Sequence, residues 1–447
     1  MNHAIHSTKT LLPEGLQSAT ILIENGKIKS IIKGKASDLS IPIEDLGDLV
    51  IMPGLIDAHV HINQPGRTHW EGFDTATKAA AAGGITTLID MPLNSTPVTT
   101  SADAFRQKLE ASKNILHVNC AFWGGLVPNN EDNLEALLKS GVIGMKAFLT
   151  HSGIDDFPNA TEKDLAHAMP IIAAHDLPLL VHCELDQPHA DQIFLQKNPR
   201  SYQAYLKSRP KEWENKAIEM MIRLCRKYKC RTHIVHLSSA EALPMIRAAK
   251  EEGLPLTVET CVQYLFFNAE EIGDGQTQFK CAPPIREASN QEKLWDALQE
   301  GLIDFVATDH SPAPPELKEV ESGNFAKAWG GIAGIQFLLP ALWTAAKLRG
   351  FNLSDIHKWT ARNVASFLRL DHQKGKIAKG FDADLVVWNP NETFTVETDS
   401  IFHRHKVTPY LNQNLNGVVY QTYVNGQKIY DHKKTHQLNQ GQLLLAK

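Results

Sequence analysis

Cysteine is scarce in this sequence of 447 residues. Cys120, Cys183, Cys225, Cys230, Cys261 and Cys281 are the full set, and no two form a Cys-x-x-Cys pair. Most lie in apolar surroundings, so they read as buried free thiols and not as a disulfide framework. No run of about 18 apolar residues occurs, which excludes a helical membrane span. The stretch from Met1 to His6 lacks the basic and apolar regions of a secretory signal. A reducing cytoplasm is the expected location, with no membrane partner. Excess positive charge is missing as well: 45 Lys and Arg face 50 Asp and Glu, a net charge of -5. That excludes a phosphate-backbone partner, so no nucleic acid is expected. Glycine (28) and proline (23) are near ordinary abundance, which argues against long disordered or collagen-like segments. What the chain does have is histidine, 20 of them. Imidazole is the commonest metal ligand and titrates near neutral pH, so their placement matters.

The length allows three domains in series or one large barrel with an appendage. Both ends read as β structure. Ala19–Ile23 and Ile28–Ile32 flank Asn25-Gly26, and Val418–Val424 runs through Asn425-Gly426 into Gln427–Tyr430. Asn-Gly between apolar runs is a strong hairpin signal. Ala383–Trp388 is a further strand. The middle alternates apolar β runs with helical stretches. The runs are Leu55–Val60, Ile85–Asp90, Leu116–Phe122, Val142–Leu149, Pro178–Cys183, Thr232–Leu237, Pro255–Thr260 and Ile303–Thr308. Eight such runs predict an α/β fold, a (β/α)8 TIM barrel. An open doubly wound sheet would call for a glycine-rich dinucleotide loop after the first strand, and none is present. The expected division is 1–52 and 373–447 as the two parts of a small β-sandwich domain, and 53–372 as the catalytic barrel.

The first run ends Asp57-Ala58-His59-Val60-His61. On a strand, residues i and i+2 share a side, so His59 and His61 are presented together. Strand C-terminal ends are where barrel active sites sit. Lys146 lies inside the apolar run Val142–Leu149. An unpaired buried ammonium is costly and is usually neutralised by a lowered pKa. A neutral amine can take up carbon dioxide to give a carbamate, which can bridge two cations. Snorkelling of the side chain to the strand end is the alternative. His182 and His236 each close an apolar run, and Asp309 ends the eighth. By parity His233 faces the helix layer and reads as structural, while the role of His310 is open. In a closed barrel these strand ends converge. Four His, one carbamate and one Asp suit two borderline-soft divalent cations, with zinc the default and cobalt, manganese or iron also fitting. Two such ions can share a hydroxide and polarise a carbonyl, so metal-assisted hydrolysis is the expected reaction class.

These residues make the sequence resemble the amidohydrolase superfamily, and the cyclic amidohydrolases within it, over nearly the whole chain. The carrying segments are Pro53–His61, Gly375-Lys376-Ile377 and Gly380–Leu385. The resemblance implies that His59, His61, Lys146, His182, His236 and Asp309 hold two metal ions. It implies that Lys146 is the carboxylated bridge and that Asp309 is the catalytic proton carrier. Within the group, Pro65–Phe73, Met91–Asn94, Lys327–Gly334 and His405–Tyr410 are similar to the allantoinases. That implies a small-molecule substrate, allantoin, opened to allantoate in ureide degradation, and by analogy a homotetramer. Dihydroorotases carry an Arg two residues beyond the His-x-His motif for the substrate carboxylate, and here that position is Asn63; their second recognition Asn is here Leu93. Hydantoinases and dihydropyrimidinases also lack that Arg and are the runner-up. An inactive scaffold is disfavoured, because all six ligand positions are present. One departure is Cys261-Val262-Gln263-Tyr264, where allantoinases usually carry Cys-Pro-His-Tyr. Gln263 can keep a hydrogen bond and cannot titrate. Loops after the strands, at 150–156, 281–284 and 311–315, are expected to line the pocket. Asn94, Cys281 and Ser311 are the candidate substrate contacts. Trp70 and Trp329 read as packing residues.

Overall fold

The computed structural model describes residues 2–37, 39–187, 190–432, 434–435 and 439–446. Each of the eight apolar runs contains a strand: Leu55–Val60, Ile85–Asp90, Asn119–Phe122, Met145–Phe148, Leu179–His182, Thr232–Ile234, Leu256–Cys261 and Phe305–Ala307. Neighbours in this order pair in parallel. The third strand reaches the fourth through the short segment Gly124–Gly125, which pairs with Met145 and Lys146. The eighth closes on the first: Val60 bridges His310, and His61 N donates to His310 O at 2.8 Å. The ladder thus runs around a closed (β/α)8 barrel.

Alternation along the strands sorts their side chains into two layers. Leu55, Leu88, Cys120, Met145, Leu179, Ile234 and Val258 pack outward against the helices. Ile56, Ile89, Ala121, Leu180 and Phe305 point inward, where Val364 and Phe367 fill the barrel floor. Two of the helices are started by side-chain caps. Ser101 caps Ala102–Ser112 by accepting from Ala104 N, and Thr161 with Asp164 forms a capping box on Glu162–Ala174.

The two ends of the chain build one nine-stranded sheet. Val50–Pro53 joins them, parallel to Lys9 and Thr10 on one side and antiparallel to Leu385–Trp388 on the other. Both Asn-Gly hairpins form. Asn25 and Gly26 have φ of 50° and 80°, Asn425 and Gly426 48° and 73°, the left-handed pair that a two-residue hairpin needs. In a flat sheet, the strand before the first turn and the strand before the second would lie four places, about 19 Å, apart. Instead a Cβ on Gly26 would come within 3.0 Å of Asn425 O. The sheet therefore curls until its two hairpin ends touch, with Ile5, Ile21, Ile28, Ile51, Leu385, Val387 and Tyr423 in one apolar cluster. The small β domain expected from the two chain ends is thus built from one sheet curled on itself.

Candidate active site at the barrel mouth

Of the six residues expected at the site, five sit near, at or just past the C-terminal ends of barrel strands, and Lys146 lies within the strand Met145–Phe148. His59, His61 and Asp309 offer ligand atoms all within 4.8 Å of one another, and all three are buried. Asp309 Oδ1 lies 3.2 Å from His59 Nε2 and 3.3 Å from His61 Nε2. The His59 and His236 rings are 5.4 Å apart, and those of His182 and His236 4.5 Å. Lys146 is fully buried, with Nζ 4.8 Å from the Phe148 ring centroid and no hydrogen-bond partner among the described residues. Phe148 in turn stacks on His182 at 4.5 Å.

Two of these residues leave the strands. His236 and Asp309 have φ of 41° and 45°. A left-handed backbone costs roughly 1–3 kcal/mol for residues other than Gly, and it persists only where the surroundings over-determine it. For Asp309 the surroundings are visible. Asp57, two residues before His59, accepts from Thr308 N (3.2 Å) and Thr308 Oγ1 (2.5 Å), and Ser311 Oγ donates to Asp309 Oδ1 at 3.0 Å. His310, on the far side, accepts at Nδ1 from Gly334 N (3.1 Å) and Ile335 N (3.4 Å), and its Nε2 faces Glu71 Oε2 at 3.5 Å.

A ring of carboxylates stands behind the histidines. Glu259 Oε1 is 2.5 Å from His59 Nδ1, and its Oε2 is 3.1 Å from His233 Nε2. Glu184 Oε2 meets His182 Nε2 at 2.8 Å, and Arg209 Nε donates to Glu184 Oε1 at 3.1 Å. Burial pushes both carboxyls up, but Arg209 and His182 outweigh it at Glu184, and His59 and His233 at Glu259, leaving each at about 2. The sequence reading missed both. Glu259 carried the same signal as Lys146, a charge inside an apolar strand.

His233 differs from expectation. It lies inside the barrel, in register with Leu180 and stacked on Phe305 and Phe367 at 5.1 and 4.4 Å. The parity argument assumed a strand running through His236. That strand ends at Ile234, so His236 reaches the same interior by its backbone turn.

Burial lowers the Lys146 pKa to about 8, against the pull of Asp309 and Glu259. A buried amine with no hydrogen-bond partner among the described residues, its pKa lowered beside an Asp and a His cluster, fits carboxylation and a binuclear metal centre better than a snorkelling side chain. A cavity of about 260 Å³ opens over the group, lined by His59, His61, His182, His236 and Asp309. Its upper walls come from Asn94, His151, Ser152, Gly153, Tyr205, Arg209, Lys280, Ala282, Ser311 and 327–330. Asn94 and Ser311 line the cavity. Cys281 is set back: its thiol is buried, its carbonyl accepts from Tyr205 Oη at 2.6 Å, and Ala282 takes its place on the wall. Trp329 lines the cavity instead of only packing, edge-on to the buried Trp70 at 4.9 Å. Gln263 is buried with neither amide atom bonded, so the hydrogen bond expected of it does not form among the described residues.

The amidohydrolase family profile matches residues 50–429. An allantoinase of Streptomyces avermitilis is 47% identical over 95% of this chain and 94% of its own length. An allantoinase of Arabidopsis thaliana is 44% identical over 99% of this chain and 90% of its own. Among solved structures, an L-hydantoinase (dihydropyrimidinase) from Arthrobacter aurescens superposes with a TM-score of 0.93 at 28% identity, covering 100% of both chains. The chain belongs to the amidohydrolase family, on its allantoinase branch.

Proposed function

We propose that this enzyme hydrolyses the hydantoin ring of allantoin to give allantoate. It is a hydrolase acting on cyclic amides. The observation that carries the reading is full-length similarity to allantoinases, laid over the strand-end cluster of His59, His61 and Asp309. Hydantoinases share the fold at lower identity and are the second reading.

His59, His61, His182, His236, Asp309 and a carboxylated Lys146 are the proposed holders of two divalent cations, zinc by preference. Once bound, these ions supply Lewis acidity toward the ring carbonyl and lower the pKa of water at the site. The chain's own residues do the rest. Asp309 accepts the proton of the attacking water and returns it to the departing ring nitrogen. Ser311 Oγ, donating to Asp309 Oδ1 at 3.0 Å, holds that carboxylate in place. Asn94, on the cavity wall, has an Oδ1 with no hydrogen-bond partner among the described residues, an acceptor for a ring N–H. Glu184 and Glu259 fix the rings of His182 and His59. The six buried free cysteines fit the cytoplasm, and a homotetramer is carried over from the resemblance.

Assaying allantoin, hydantoin, dihydrouracil and dihydroorotate side by side tests the reading. Allantoin should give the highest kcat/KM. A higher value on hydantoin or dihydrouracil would replace this reading with the second one. Lys146→Ala should lose metal and activity together, with partial recovery on adding a short carboxylic acid. A metal-free Lys146→Ala enzyme with wild-type activity would overturn the metal assignment.

A further inference from the structure

Allantoin differs from unsubstituted hydantoin by a ureido group on the ring. The strand-end cluster takes the scissile carbonyl, so this tail must project toward the upper wall of the cavity. Three cationic side chains stand on that wall: Arg209, Lys280 and Lys327. Arg209 is engaged with Glu184. Lys327 is exposed. Lys280 is different. Its Nζ donates to Ala328 O at 2.5 Å and sits 5.3 Å over the Tyr205 ring. Among the described residues no carboxylate pairs with it, and two of its three N–H groups are unspent. A neighbouring lysine shows what a fully satisfied ammonium looks like here: Lys318 Nζ donates to Gly331 O (2.7 Å), Trp329 O (2.9 Å) and Lys280 O (3.3 Å). Together with Gly331 N donating to Lys280 O at 2.8 Å, these bonds fix the Lys280 backbone. Lys280 is thus an anchored cation with open donors in the wall of the catalytic cavity.

Resting on the proposed ring hydrolysis, we infer that Lys280 is a specificity residue that donates a hydrogen bond to the carbonyl of the substrate's ureido tail. A carbonyl oxygen can use an N–H donor, and the Tyr205 ring holds the ammonium in place from the other side. Burial, and then the charge of Arg209, pushes its pKa down to about 8, which still leaves the ammonium the main form at pH 7.

The test compares allantoin with hydantoin, the same ring without the tail. Lys280→Met should lower kcat/KM on allantoin about 10- to 100-fold, the size of one charged hydrogen bond. The inhibition constant of hydantoin against allantoin should move less than about twofold, and Lys280→Arg should recover part of the loss. An equal loss on both ligands would overturn the inference, because Lys280 would then only support Ala328 and the wall. An unchanged kcat/KM on allantoin would overturn it too. Lys280→Leu, which also removes the N–H donor, gives the same comparison if Lys280→Met does not fold. A wild-type enzyme that opens hydantoin and leaves allantoin intact would instead sink the underlying functional reading.

Discussion

His59 is held at both ring nitrogens, Nδ1 by Glu259 and Nε2 beside Asp309. The ligand end of this arrangement was legible in the sequence, because two His at i and i+2 on an apolar strand can only face the same way. Lys146 was legible because an ammonium in an apolar run demands an explanation. The failures have a common cause. His236 and Asp309 reach the site through positive φ, and nothing in a side-chain pattern announces a left-handed residue that is not glycine. That is why parity put His233 on the wrong side. Glu259 makes a prediction at this scale. Its carboxylate sets the orientation of His59 and neutral His233 alike, so Glu259→Gln should weaken metal retention about 10- to 100-fold. Equilibrium dialysis against a graded chelator, with metal counted by atomic absorption, reads this directly. Equal retention in the variant and the parent would mean that Glu259 serves the fold and not the site.

The eight strands were legible as elements because parallel barrel strands are buried on both faces and read as apolar runs. Their lengths were not. Thr232–Leu237 shortens to Thr232–Ile234 where the backbone turns, and Leu116–Phe122 to Asn119–Phe122 where the 441–444 segment runs beside it, Gly441 N donating to Leu116 O. The segment Gly380–Leu385 carried resemblance in the sequence but no physical role. The structure supplies one. Asp384 accepts from Lys374 Nζ at 2.5 Å, Asn119 Nδ2 at 3.0 Å and Asn425 N at 2.7 Å. One carboxylate thus ties the third barrel strand, the chain that leaves the barrel and the C-terminal hairpin. Lys374 is 2% exposed, so removing its partner strands an ammonium in the interior. Asp384→Ala should cost about 3 kcal/mol of unfolding free energy, toward the low end for a broken buried pair, because Asp382 still faces Lys374 at 2.8 Å. Urea unfolding followed by tryptophan fluorescence measures it. Asp382→Ala, whose carboxylate is nearer solvent, should cost less; the reverse order would remove Asp384 from this role.

At the scale of the whole molecule, the terminal sheet is assembled from segments more than three hundred residues apart in sequence, and ion pairs fasten the join. Lys27 of the first hairpin pairs with Asp382, and Glu44 pairs with Lys428 at 2.7 Å while accepting from Gln421 (2.6 Å) and Tyr423 (3.0 Å). Burial pushes both carboxyls up, yet Lys374 and Lys27 at Asp382, and Lys428, Gln421 and Tyr423 at Glu44, outweigh it. Both pKa values end below their ordinary range. The sign follows from linkage. A depressed carboxyl stabilises the fold above its unfolded pKa, roughly 4, because there the folded and unfolded states are both ionised and only the folded one gains the partner. As pH falls below that value the unfolded state takes up protons first, and the contribution is lost as pH falls on through the lower folded pKa. The join between the two chain ends should therefore loosen as pH falls below about 4. Hydrogen exchange compared at about pH 6 and about pH 3 should show the terminal strands losing protection, and Glu44→Gln should flatten the fall of the melting temperature below about pH 4. Unchanged protection of the terminal strands, or an unchanged slope in Glu44→Gln, would place the acid-sensitive groups elsewhere, at the carboxylates that surround the site histidines.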